Sequence, residues 1–245
     1  MCEGGEKITH IFSVLKKEVY AGKKGSELDA LAESLIKEAG GKPAFKNYKP
    51  TFADTPYRYT LCLSVNNQIV HGYPTDAVIL QKGDVVSLDL GMKYQGYYLD
   101  CALTVGIDPV SPANKNLIES TRQALKKAIS VATPGHTFGD VGHAIQEELK
   151  TNNLVPVKNL CGHDIGTFLH GDLQILNFGK PGTGEPIQPY TFFTIEPMAS
   201  FSSPMGVIED EYVFITGDDR SSAHFEVTLM TTEKGNIVLT PILDL

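Results

Sequence analysis

Residues 84–106 read DVVSLDLGMKYQGYYLDCALTVG. Two parts of this stretch, 84–91 and 97–105, are rich in valine, leucine and tyrosine and flank a lysine- and glycine-bearing turn. That composition predicts two β-strands joined as a hairpin about Lys93–Gly96. Each strand carries an aspartate among apolar neighbours, Asp89 in VVSLDLGM and Asp100 in GYYLDCALTV. A turn centred there makes opposed positions sum to 189, so that Asp89 faces Asp100 with Cβ atoms ~5 Å apart. Two like charges so close, half-buried in strands, drive one pKa sharply upward unless a cation lies between them. A metal ion answers this economically. A register shifted by one residue, or a lysine partner for each aspartate, is the other reading.

Outward from the hairpin the chain alternates helices and strands. From Glu6 to Tyr20, residues Ile8, Ile11, Phe12, Val14, Leu15 and Val19 follow helical spacing. Ser26 with Asp29 resembles a capping box, and Leu28, Leu31, Ala32, Leu35 and Ile36 carry a second helix to Gly40-Gly41. Pro43–Pro56, with aromatics, lysines and prolines but no period, predicts a long ordered loop, and 60–65 a strand. Ser111-Pro112 opens a helix to about Val131 that stops at Pro134-Gly135, and Thr137 with Asp140 caps another reaching about Lys150. Asp140 lies 140 − 29 = 111 residues beyond Asp29. The expectation is an α+β protein of two α-then-β halves, with a sheet core and helices outside.

The 245 residues fit one domain, and 42% hydrophobic with 20% charged residues excludes disordered and fibrous classes. A net charge of −8 argues against nucleic acid as the main partner. Cys2, Cys62, Cys101 and Cys161 form no CxxC pair and are expected as reduced thiols. The start, MCEGGEKITHIFSV, does not resemble a signal peptide, and no apolar run approaches the ~20 residues of a membrane span. A soluble cytoplasmic protein is the expectation.

Three further ionisable residues interrupt apolar or glycine-bearing segments: His163 in CGHDIG, Glu196 in FFTIEPM and Glu226 in SAHFEVTLMTT. Singly, each has an ordinary reading as a hydrogen-bonding histidine or a solvent-facing glutamate. With Asp89 and Asp100 they make four carboxylates and one imidazole. Such a set suits two divalent ions sharing bridging oxygens, whereas a structural zinc site would use thiolates. Two-metal hydrolysis is the chemistry implied, with cobalt, manganese, iron and zinc all admissible.

An ordered series of segments then resembles the methionine aminopeptidases, the short bacterial-type branch of the pita-bread metallopeptidases. They are GSELDALAESLIKEAGGKPAFKNY, LCLSVNNQIVHGYP, LQKGDVVSLDLGMKYQGYYLDCALTVG, CGHDIGTFLH, TFFTIEPM and DDRSSAHFEVTLMTTEKGNIVLT. The resemblance implies a pita-bread fold of two pseudo-symmetric ααββ halves. It puts the metal ligands at Asp89, Asp100, His163, Glu196 and Glu226, with Asp100 and Glu226 shared by both ions. It implies that Glu196 shuttles a proton and that His71 and His170 contact the scissile amide and its carbonyl oxygen. Tyr57, Cys62, Leu169 and Tyr212 match the methionine pocket. The substrate implied is an N-terminal Met peptide or a nascent chain with a small second residue, the ribosome a possible partner, and the enzyme a monomer.

The match has departures. Asp164 follows His163 where the family has glycine, Tyr98-Leu99 replaces a common His-Gly, and Leu169 and Tyr212 replace phenylalanine and tryptophan. An added charge at Asp164 bears on metal affinity, and an aspartate tolerates a left-handed turn. GVIEDEYVFIT resembles the GxRIED segment of Xaa-Pro peptidases, which makes Glu209 the competing last ligand. Glu226 in SAHFEVT, close to the SAQFEHT pattern, is preferred. A pita-bread protein that binds without cleaving is the third reading, with Asp164 its best support.

Overall fold

The structure, a computed structural model, describes residues 1–51 and 53–245. The first half runs α1 (Cys2–Lys17), α2 (Gly25–Glu38), β1 (Lys42–Pro43), β2 (Cys62–Val65), β3 (Gln68–Val70), β4 (Val85–Tyr94) and β5 (Tyr97–Gly106). Two helices again lead the second half, α3 (Pro112–Val131) and α4 (Phe138–Thr151). Short strands follow: β6 (Val155–Pro156), β7 (Cys161–His163), β8 (Gln174–Leu176), β9 (Phe192–Ile195), β10 (Met198–Ser200) and β11 (Gly206–Ile208). The chain closes with β12 (Phe214–Thr216), β13 (Ala223–His224), β14 (Val227–Thr231), β15 (Asn236–Val238) and a 3-10 turn, Ile242–Asp244. This is the α+β order expected. Of the loop expected over Pro43–Pro56, Pro43 belongs to β1, residues 44–51 and 53–56 are without strand or helix, and Phe52 lies outside the described residues.

β4 pairs along one side with β5 and along the other with β2 and β1, all antiparallel. In the second half β14 lies between β9 and β15. A bridge between Ala102 and Glu226 joins the halves. One stripe of each helix covers this sheet core: Ile8, Ile11, Phe12 and Leu15 from α1, Leu28 and Ile36 from α2, Leu117 and Leu125 from α3, Ile145 and Leu149 from α4.

Two local expectations are corrected. In the β4–β5 hairpin Tyr94 pairs with Tyr97, so opposed positions sum to 191 and Asp89 faces Ala102. The reason is a tight two-residue turn in which Gln95 and Gly96 have φ of 48° and 90°, the doubly left-handed pattern of a type I′ hairpin. Because the error is two residues and not one, both aspartates still share a face. The capping box of α2 is not Ser26–Asp29. Glu27 accepts the Lys24 N–H, Ser26 donates to Asp76, and the Asp29 carboxylate accepts the Thr60 and Leu61 N–H groups. The equivalent of Asp140 is therefore Glu27, an offset of 140 − 27 = 113. Thr137 and Asp140 do form the box expected at α4.

Candidate metal centre

The strand registers set the site out as two adjacent rows on one sheet face. In the first, Cys62 faces Asp89, Asp89 faces Ala102, and Ala102 exchanges both backbone hydrogen bonds with Glu226. Val227 pairs with Ile195, and the same register continued by one residue sets Glu226 opposite Glu196, with Phe225 N–H donating to the Pro197 carbonyl just beyond. In the second row Gly91 faces Asp100, and the Thr228 hydroxyl accepts from the Asp100 N–H and donates to its carbonyl. Thr228 pairs with Thr194, whose hydroxyl accepts the His163 N–H and donates to Glu196 Oε1. Alternation along a strand has period two, so all five ionisable side chains point the same way.

They converge. Donor atoms of Asp89, Asp100 and Glu226 lie within 4.8 Å of one another, as do those of His163, Glu196 and Glu226, so Glu226 belongs to both groups. A third such set is Asp100, His163 and His170. His163 Nε2 is 3.7 Å from Glu196 Oε1 and 4.0 Å from Glu226 Oε1. Two donors each ~2.1 Å from one ion stand roughly 3–4 Å apart, so these spacings suit a shared cation. The His163 Nδ1–H donates to the Asp164 carbonyl at 3.0 Å, which leaves Nε2 with its lone pair facing the carboxylates.

The electrostatics are those of acidic groups crowded in a buried face. Asp100 and Glu226 are 2% and 3% exposed, and Asp89 Oδ1, Asp100 Oδ1 and Glu226 Oε1 are buried without a hydrogen-bond partner. Burial pushes Asp89 up to about 8. Burial and then the neighbouring carboxylates hold Asp100, Glu196 and Glu226 well above the usual range. Burial lowers the His163 pKa, so its ring is neutral. Orphaned acceptor oxygens beside a neutral imidazole fit divalent cations, and neither the shifted register nor lysine partners account for them.

Around the cluster, the His170 ring packs on His163 with centroids 4.4 Å apart and on Tyr48 at 5.0 Å. His71 has φ of +61°, uncommon for a histidine, and its Nδ1 lies 3.2 Å from the Tyr212 carbonyl. Tyr57, Cys62, Leu169 and Tyr212 meet in one buried apolar cluster with Ala44 and Phe45. Tyr57 and Tyr212 also form a wall of a cleft of about 200 Å³ that Arg58, Tyr59, Tyr73 and Asp210 complete. Glu209 is exposed in the β11–β12 turn and stands outside the metal-donor groups. Asp164 does not use a left-handed backbone.

The sequence reading missed three residues. Thr194 and Thr228 look like ordinary strand threonines, and only the register reveals that they orient site residues. His224 is 2% exposed with both ring nitrogens unpartnered, and its Nε2 lies 3.7 Å from Glu196 Oε2. Burial lowers its pKa to about 3, so it is neutral. Its signal was the histidine in SAHFEVT, where the family pattern has glutamine.

Residues 1–233 match the model of metallopeptidase family M24. The chain belongs to that family. Methionine aminopeptidase 1 of Bacillus subtilis is 35% identical over 243 residues, which cover 99% of this chain and 95% of that protein. Methionine aminopeptidase of Aquifex aeolicus is 34% identical, covering 96% and 92%. The crystal structure of methionine aminopeptidase from Thermotoga maritima superposes with a TM-score of 0.93 at 36% identity, covering 98% of this chain and 94% of that one. Prolidase from Pyrococcus furiosus, 21% identical with a TM-score of 0.74 and 62% of its length covered, shares the fold. The M24 chain thus has the pita-bread fold and is a metal-dependent hydrolase with divalent ions as cofactor. No helix among its described residues is long and apolar enough to cross a membrane.

Proposed function

We propose that this M24 peptidase is a methionine aminopeptidase that removes the N-terminal methionine from new proteins, preferring a small second residue. The observation that carries this reading is the buried face of four carboxylates and one neutral imidazole beside a closed apolar cluster. Residues 1–245 act as one catalytic domain. Asp89, Asp100 and Glu226 would hold one divalent ion, and Asp100, Glu226, His163 and Glu196 a second. When bound, the ions supply the Lewis acidity that lowers the pKa of water and polarises a peptide carbonyl.

The protein's own groups do the rest. Glu196 accepts the proton of the attacking water and returns it to the leaving amine, while Thr194 keeps one of its oxygens oriented. His170 contacts the scissile carbonyl oxygen, where its imidazole N–H offsets developing negative charge, and His71, whose Nδ1–H donates to the Tyr212 carbonyl, contacts the scissile amide through Nε2. Tyr57, Cys62, Leu169 and Tyr212 receive the methionine side chain, an unbranched thioether that suits an aromatic and thiol lining. A nascent-chain substrate puts the monomer in the cytoplasm near the ribosome.

The test is peptide cleavage after chelation and re-addition of manganese or cobalt, comparing Met-Ala-Ser with Ala-Pro-Ala. Metal-dependent release of methionine from the first alone is the expected result. Cleavage of the second alone would move the chain to the Xaa-Pro branch and the last ligand to Glu209. Metal binding without cleavage of either would make it a binding protein.

A further inference from the structure

We propose that Asp164 is a positioning residue whose carboxylate pins shut the neck of the 164–173 loop, which presents Leu169 and His170 to the site. The inference rests on the proposed roles of Leu169 and His170. Its basis is how the loop is closed. At the base, Asp164 bridges to Phe193 of β9, and Ile165 N–H donates to the Phe192 carbonyl. Across the neck, the Gly171 N–H donates to the Asp164 carbonyl at 3.0 Å and the Leu173 N–H to Asp164 Oδ1 at 2.9 Å. The side chain thus adds a second tie parallel to the backbone one.

The packing around it fits this role. A Cβ built on Gly171 falls directly onto the Asp164 carboxylate atoms, inside any tolerable contact distance. The carboxylate occupies the space that the glycine leaves open, and an alanine there would evict it from the Leu173 amide. Between the ties the loop carries Leu169 into the apolar cluster and sets the His170 ring on His163. The carboxylate is spent on this neck. It is no member of the metal-donor groups among the described residues, so the extra charge beside His163 acts on loop geometry and not as a ligand.

A double-mutant cycle on the full-length protein tests this, with thermal unfolding, zinc affinity by calorimetry and kcat/KM on Met-Ala-Ser as readouts. Gly171→Ala alone should lower Tm by roughly 2–4 °C or more, and do so far less in an Asp164→Gly background. Asp164→Gly should lower kcat/KM roughly ten- to hundredfold with zinc affinity unchanged, since a displaced His170 costs catalysis and not metal. Asp164→Asn, which keeps the Oδ1 acceptor, should restore most of the activity. Additive Tm effects, or unchanged kcat/KM in Asp164→Gly, would overturn the proposal. So would an Asp164→Asn variant that behaves like Asp164→Gly and binds zinc differently, because charge would then be the cause. A non-additive cycle in a wild-type protein that leaves Met-Ala-Ser uncut would contradict the proposed activity and uphold the clamp.

Discussion

At the scale of the residue, the five donors are unequal in what their loss should do. Glu226 belongs to the donor group that contains Asp89 and to the one that contains Glu196, whereas His163 shares a group with Glu196 and none with Asp89. Glu226→Gln is therefore expected to abolish binding of both ions and all peptide cleavage, while His163→Ala should remove one ion equivalent and leave the Asp89 side able to bind. Metal content by plasma mass spectrometry after dialysis distinguishes these, and equal losses in the two variants would contradict the shared role of Glu226. His170→Ala should instead leave metal content intact and lower kcat by roughly 10²–10³ if the imidazole offsets charge in the transition state. A variant with normal kcat would remove His170 from the mechanism.

At the scale of the element, the β4–β5 turn fixes where Asp100 falls relative to Asp89. A Cβ on Gly96 would meet nothing within 4 Å, so Gly96→Ala tests the left-handed backbone alone and should cost about 1–2 kcal/mol in urea unfolding. Gln95→Asn, which gives the favoured Asn-Gly pair of a type I′ turn, should stabilise the hairpin; destabilisation would contradict the turn assignment. The same turn shows what the sequence could and could not supply. Helix faces, the Thr137–Asp140 cap and five out-of-place ionisable residues were legible because period and burial leave marks on composition. The register was not, since Gln-Gly lacks the usual turn signature and a two-residue slip leaves the pattern of faces unchanged. Thr194, Thr228 and Asp29 stayed hidden because their roles depend on partners 30 to 130 residues away, brought near only by sheet pairing and loop closure.

At the scale of the whole molecule, the site makes folding depend on pH and metal together. Asp89, Asp100, Glu196 and Glu226 have folded-state pKa values raised above the unfolded ones, chiefly by burial, so at these groups the folded metal-free protein binds more protons than the unfolded chain, whereas the buried His71, His163, His170 and His224, lowered by burial, bind fewer below the ordinary histidine value of 6.5. The carboxylate contribution to stability is fullest below their unfolded range and falls as pH rises, in part through the Asp89 value near 8, while the histidine contribution is lost as pH falls below 6.5. The metal-free protein should therefore lose Tm from about pH 7, where the histidines no longer oppose the trend, to about pH 9, and saturating metal should flatten that slope. A slope that metal leaves unchanged would place the titrating groups elsewhere. That this sheet face is a metal centre is tested most directly by anomalous diffraction from zinc-soaked crystals. Two peaks are expected about 2.0–2.2 Å from oxygens or nitrogens of Asp89, Asp100, His163, Glu196 and Glu226, with Asp100 and Glu226 touching both. Peaks at Glu209, or none among these five residues, would contradict it.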